Sequence, residues 1–296
     1  QDLARHVIFG HYPDAAESAN PAASLLEAVI ARQADLIARW MHVGFIHGVM
    51  NTDNMSIAGE TIDFGPCAFI DTYDPDAVYS SIDSYGRYAF RNQPRVARWN
   101  LARFAEALLP LLGPDKEAAV DLANTLLGTF STRFEEAYQA GWRRKLGLYQ
   151  TRDDDAVLAA DLLARMAANA ADYTLTFRRL ADAALGTEGD AAARVLFADP
   201  TAYDAWAAAW RERLADDGPA TAEERARSMK AANPAFIPRN HLVEEALAAA
   251  VTASDYAPLE TLLEVLAKPF DDQPGREAYA TPPRPEQIVR ETFCGT

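Results

Sequence analysis

The amino-acid sequence predicts a mainly α-helical fold with one small β-hairpin. The 296-residue chain is rich in Ala and Leu, which favour helix interiors. Its apolar residues recur at spacings of three and four through most of the length, the signature of amphipathic helices. One short stretch, Met55 to Ile62, instead reads as two brief strands around a Gly-containing turn. A chain this long can bury a full core, as one large domain or two small ones.

In chain order, Asn20-Pro21 supplies an N-cap and a first helical residue. Ser24 and Glu27 offer an alternative capping box. Leu26, Val29, Ile30, Leu36, Ile37, Trp40 and Met41 follow at helical spacing, so one long helix is expected to about Val43, ended by Gly44. In the hairpin, Met55-Ser56-Ile57 and Thr61-Ile62 flank Ala58-Gly59-Glu60. From Gly65 to Pro94 the chain is irregular and rich in Tyr, Asp and Ser, and the aromatics and Arg between Ser81 and Pro94 predict an ordered loop. Within it Arg87 could reach a phosphate or carboxylate, or form a structural ion pair.

Val96, Trp99, Leu101, Ala105 and Leu108 open a further helix, which Pro110 and Gly113-Pro114 are expected to break. More helices are predicted through Tyr138, Met166, Leu180, Trp210, Met229, Leu247 and Leu266. Asp199-Pro200 and Asp217-Gly218-Pro219 mark joints between them. The tail after Lys268 is Pro-rich and is expected to run irregularly over the surface.

The net charge of −15 argues against nucleic-acid binding, and no basic run stands out. No stretch of about 18 apolar residues exists, so no membrane span is expected. Cys67 and Cys294 lack C-x-x-C spacing, which speaks for free thiols in a reducing compartment rather than zinc or a disulfide framework. G-x-S-x-G, G-x-G-x-x-G and H-E-x-x-H are absent, which leaves hydrolase, dinucleotide and zinc-peptidase readings without support.

The octapeptide HGVMNTDN, His47 to Asn54, carries the chemistry, with Asp63-Phe64-Gly65 starting nine residues after Asn54. This is the length and frame of the protein-kinase catalytic loop H-R-D-x-x-x-x-N followed by D-F-G. Val49 stands where a kinase keeps its catalytic Asp, and a valine accepts no proton. Asn54 and Asp63 fall on the metal-ligand positions. The hairpin would bring them to adjacent strand ends around one Mg²⁺ or Mn²⁺, completed by nucleotide phosphates and water; the plainer alternative is a polar hairpin with incidental carboxylates. Asp53 is the nearest carboxylate to Asn54, suited to general-base work or to capping loop N–H groups. His47 reads as a structural brace.

The predicted architecture is therefore a kinase-like C-lobe over residues 1–150, with a helical extension and tail over 151–296. Lys116, Lys145, Lys230 and Lys268 all follow the catalytic-loop motif, so the Lys and Gly-rich loop of a kinase N-lobe are expected to be absent. The chain opens on Gln1 and reads as starting within a domain.

From Arg5 onward the sequence resembles the selenoprotein O family. HGVMNTDNMSI, IDFGPCAFID, GRYAFRNQP followed by Trp99-Asn100-Leu101, NPAFIPRNHL, and the closing Cys294-Gly295-Thr296 carry the resemblance. It implies a pseudokinase-fold protein adenylyltransferase that binds ATP in an inverted pose and moves AMP to Ser, Thr or Tyr hydroxyls of protein substrates. By motif position it implies Asp53 as proton acceptor and Asn54 and Asp63 as ligands of Mg²⁺ or Mn²⁺. It also implies a reversible Cys67–Cys294 disulfide, and nucleotide contacts in an N-lobe, without which this piece alone is expected to be inactive. An unconventional kinase and a catalytically dead scaffold are the alternatives. A bacterial cytoplasmic location is expected, with a mitochondrial origin left open.

Overall fold

The spacings of three and four become buried helix stripes in the computed structural model, which describes residues 1–293. Helix α1 (Asp2–His11), not foreseen from the sequence, and a 3₁₀ turn (Pro13–Glu17) lead into α2 (Pro21–Val43). The Asn20 side chain caps α2 by accepting from the Ala23 N–H at 3.1 Å. Ser24 lies inside the helix, its N–H on the Asn20 carbonyl, so the alternative box at Ser24 does not form. Gly44 ends α2 in the left-handed region, at φ 74°. A side chain there would also collide with Ile70 and Tyr173.

Helix α2 is the central beam. Leu26, Ile30, Ala34 and Ile37 are fully buried along it, and α3 (Gln93–Leu112) and α4 (Lys116–Leu146) pack against it. Pro110 does not break α3, contrary to expectation. It sits in the last turn, where the missing N–H costs one hydrogen bond just before Gly113 ends the helix anyway.

Beyond α4 follow α5 (Asp155–Ala168), α6 (Tyr173–Ala183), the short α7 (Asp190–Arg194) and α8 (Pro200–Ala215). Then come α9 (Ala222–Ala232), α10 (Asn240–Ala253) and α11 (Ala257–Leu266). Asp199 caps α8 through the Thr201 N–H at 2.9 Å. Asp217 does more than mark a joint. It is buried and binds Arg213 at 2.7 Å and Arg225 at 2.9 Å, while Arg213 also binds Asp155 at 2.7 Å. This network ties α5, α8 and α9 together, and losing one partner would strand a buried charge.

The strands are not where the hairpin signal placed them. Of that hairpin only a single bridge, Met55 to Thr61, forms. The sheet is instead β1 (Phe45–Ile46) paired antiparallel with β2 (Ala68–Phe69), with Phe45 opposite Phe69. Phe45, Ile46 and Ala68 are buried against the end of α2; burial on the core, rather than turn chemistry, selects this pairing.

One apolar core runs from Ile8 to Met229 without a break at position 150, and a small second cluster joins Ala235, Phe236 and Val265. The tail is irregular apart from 3₁₀ turns at Glu277–Tyr279 and Pro285–Gln287. It returns to the irregular segment after Asp63, where the Thr292 N–H donates to Tyr79 O at 2.7 Å. Among the described residues no helix is long and apolar enough to cross a membrane.

Candidate active site

The loop from His47 to Asn54 leaves β1 and is fixed from beneath. His47 is fully buried, and its Nε2 lies 2.8 Å from Ile62 O. A carbonyl can only accept, so Nε2 carries the proton, and Nδ1 accepts from the Val49 N–H at 3.4 Å. Burial lowers the His47 pKa, against the opposing pull of the Ile62 carbonyl and Asp63, so the imidazole is held neutral. It links the catalytic-loop motif to the residue preceding Asp63.

Gly48 occupies the place of the kinase motif's arginine. Its φ is 86°, and an added Cβ would stand 2.5 Å from Pro66 O. The segment after Asp63-Phe64-Gly65 lies directly on this glycine, leaving no room for a side chain. Val49 is buried and offers no polar atom at the kinase base position.

The Asn54 Nδ2 donates to Val49 O at 3.0 Å. Its donor end is thereby occupied, and the oxygen is the end left for a ligand. Asp53 is exposed, and among the described residues its carboxylate accepts no hydrogen bond, so it is not engaged in capping the loop. Asp63 is exposed and left-handed at φ 55°, with a long contact of 3.4 Å from the Gly65 N–H to its Oδ1. Asp tolerates this region better than most residues. The Met55–Thr61 bridge draws Asn54 and Asp63 toward each other at the neck of the intervening loop.

A carboxylate and an amide oxygen are hard donors of the kind Mg²⁺ and Mn²⁺ take, and Mg²⁺ commonly uses one or two carboxylates plus substrate phosphates. Among the described residues no group of three or more His, Cys, Asp and Glu could hold a metal alone. Two such donors alone would leave most of a metal's positions to substrate phosphates and water.

Several residues that sequence reasoning did not single out hold these backbones in place. Buried Gln93 accepts from the His47 N–H at 3.1 Å and donates to Phe45 O at 2.9 Å. Asn100 donates to Met50 O at 2.9 Å, and Tyr88 donates to the Asn51 side chain at 2.7 Å. Asn240 grips Phe69 on both sides, donating to its carbonyl at 2.7 Å and accepting from its N–H at 3.1 Å. It thereby occupies the free edge of β2 as a third strand would. Next to it, fully buried Arg239 binds Asp71 at 2.8 Å and Asp172 at 2.7 Å. All five lie within GRYAFRNQP, the following Trp99-Asn100-Leu101 and NPAFIPRNHL. The motifs were visible, but their partners were not.

Among the described residues Arg87 does not form the structural ion pair that the sequence offered as one of its roles. Its guanidinium stacks 4.9 Å from the Trp99 ring centre. Cys67 is half-buried, and burial pushes its thiol up to about 11. Cys294 lies outside the described residues, so the predicted disulfide does too. Thr292 nevertheless donates to Pro66 O at 2.6 Å, which brings the tail against the residue beside Cys67.

The protein-family model described as protein adenylyltransferase SelO matches residues 1–267. The chain is 60% identical over 294 residues to a protein named protein nucleotidyltransferase YdiU from Bradyrhizobium sp. (strain BTAi1 / ATCC BAA-1182), covering 99% of this chain and 60% of that relative. Proteins of the same name from Methylorubrum extorquens and Rhodopseudomonas palustris (strain BisB5) are 59% and 58% identical, over 300 and 294 residues, at the same coverage of each chain. The chain thus spans about 60% of the length of the curated relatives it matches.

Proposed function

This chain belongs to the SelO family of protein adenylyltransferases, and from that premise we propose that it forms the kinase-like C-lobe and helical extension of an enzyme that moves AMP from ATP to Ser, Thr or Tyr hydroxyls of other proteins. Residues 1–150 carry the site, and 151–296 form the extension that supports it. The observation that carries the reading is the division of labour in one loop. Val49 is buried and chemically inert, Asn54 has only its oxygen to offer, and Asp53 is exposed with its carboxylate uncommitted.

Asp53 takes the proton of the acceptor hydroxyl. The hydroxyl oxygen then bonds to the α-phosphorus, the bond from that phosphorus to the bridging oxygen breaks, and pyrophosphate leaves. This requires ATP inverted relative to a kinase, with the α-phosphate toward the acceptor. Asn54 and Asp63 hold the Mg²⁺ or Mn²⁺, which when bound neutralises charge on the phosphates. His47 ties the catalytic loop to the residue preceding Asp63 through the Ile62 carbonyl and does not act as base. Cys67 and Cys294 form a reversible disulfide tying the tail to the segment after Asp63. Equal free-thiol counts with and without reductant would remove that part of the proposal.

The deciding experiment gives the whole protein ATP labelled on the α- or the γ-phosphate, with Mg²⁺ or Mn²⁺, a reductant and a mixed-protein acceptor. An Asp63→Ala variant runs beside it. Protein-bound label from α alone, lost in the variant, is the expected result. Label from γ alone would mean a kinase with a relocated base, and no label from either would mean a scaffold.

A further inference from the structure

Adenylyl transfer does not account for the outer face of the helix that grips the catalytic loop. Between Arg87 and Arg103 the chain has five arginines and no Asp or Glu, although its net charge is −15. Their spacing hides them from a search for basic runs, but α3 lines up three of them, Arg95, Arg98 and Arg103. In α3, Val96, Ala97, Asn100 and Leu101 are buried, whereas Arg95, Arg98, Trp99 and Arg103 are exposed. Residues three and four apart share a helix face, so these exposed positions form one stripe.

Arg87 joins the stripe from the preceding loop. Its guanidinium and that of Arg103 lie 4.9 and 5.2 Å from the Trp99 ring centre. Arg91 is neutralised by Asp76 and Arg103 by Glu106, each at 2.7 Å. Among the described residues Arg87, Arg95 and Arg98 form no ion pair. Exposed guanidiniums beside an aromatic ring match carboxylates in geometry and are weakly hydrated, and Trp and Arg dominate interface hot spots. A chain of net negative charge repels acidic partners over most of its surface, so a local basic stripe admits them at one place and in one orientation.

That place borders the site. A cavity of about 260 Å³ is lined by Asn100, Leu101 and Arg103 of α3 and by Thr52, Met55 and Ser56 of the loop that holds Asp53. We propose that the face formed by Arg87, Arg95, Arg98 and Trp99 docks an acidic segment of the acceptor protein, beside the hydroxyl to be modified. The docking itself rests on the stripe; its use in catalysis rests on the transferase reading above.

The test uses the whole protein and a short fluorescein-labelled peptide of Glu and Asp around one Tyr, with a Lys-rich peptide and an RNA oligonucleotide as comparisons. The acidic peptide is expected to bind, and binding should weaken by about tenfold or more in Arg95→Glu/Arg98→Glu and on raising the salt. Arg227→Glu, the same change at an exposed arginine of α9, should leave binding intact. The KM for an acidic acceptor should rise in the double variant while kcat holds. Undiminished binding in the double variant, an equal loss in Arg227→Glu, or tighter binding of the Lys peptide or of RNA through the stripe would each overturn the proposal. If no AMP is transferred to any acceptor but peptide binding still depends on Arg95 and Arg98, the transferase reading falls and the docking surface stands. If transfer proceeds and ignores both arginines, only the docking surface falls.

Discussion

Gln93 offers the sharpest test of how the site is held. It is completely buried, and its amide serves two backbone groups of β1 and the catalytic loop, the Phe45 carbonyl at 2.9 Å and the His47 N–H at 3.1 Å. Gln93→Met keeps nearly the same length and shape but can serve neither. A buried polar group left without its partner costs about 1–3 kcal/mol, so two stranded groups predict about 2–6 kcal/mol of lost stability. Gln93→Glu retains an acceptor for His47 but sets a carboxylate against the Phe45 carbonyl, and it should be no more stable than the Met variant. The assay is urea unfolding at neutral pH, read as the change in midpoint at constant m-value. Gln139→Met is the control. Gln139 is on the outer side of α4 and, among the described residues, its side chain bonds only Glu135 one turn away, so its loss should stay within about 0.5 kcal/mol. If Gln93→Met costs less than about 1 kcal/mol, the backbone finds other partners and the argument that motif amides hold the site fails.

Three further outcomes can be checked. Gly141 admits His42 against α4, where a Cβ would stand 2.0 Å from Nε2, so Gly141→Ala should destabilise by about 1–3 kcal/mol despite the usual helical preference for Ala. Removing the clash with His42→Ala should recover part of that loss in a double-mutant cycle; simple additivity would count against the contact. Burial pushes Lys145, which donates to His42 O at 2.8 Å, down from 10.5 to about 7. Between those values the unfolded chain holds a proton that the folded chain has released, so stability should rise with pH across that window. The rise should shrink in Lys145→Met, and parallel pH profiles would refute it. Cys67, its thiol pushed up to about 11 by burial, should alkylate with iodoacetamide at pH 8 at least about tenfold more slowly in the folded, reduced protein than in urea, followed by mass spectrometry of its peptide. Equal rates would show that its burial does not suppress the thiolate.

What the sequence determined by itself is what nearest neighbours in the chain determine. Helix α2 begins at Pro21 and ends at Gly44 because the Asn20 cap and the left-handed glycine act within one turn. The helices through Tyr138, Met166, Trp210 and Met229 were legible because burying one face imposes a spacing of three and four. His47, Asp53, Asn54 and Asp63 stood out as candidate site residues because their spacing is itself the motif. The tertiary structure decided every question of partner. Phe45-Ile46 pairs with Ala68-Phe69, not within the apparent hairpin, because an extended segment takes the neighbour that buries it. Gln93, Asn100 and Asn240 read as polar residues in quotable motifs, yet which carbonyl each serves depends on segments up to 171 residues away. Arg95, Arg98 and Arg103 share a face only because α3 turns them to one side, where Arg87 of the preceding loop meets them over Trp99. Local chemistry sets where elements start and stop, whereas buried hydrogen bonds and shared faces depend on which distant segments the core brings together.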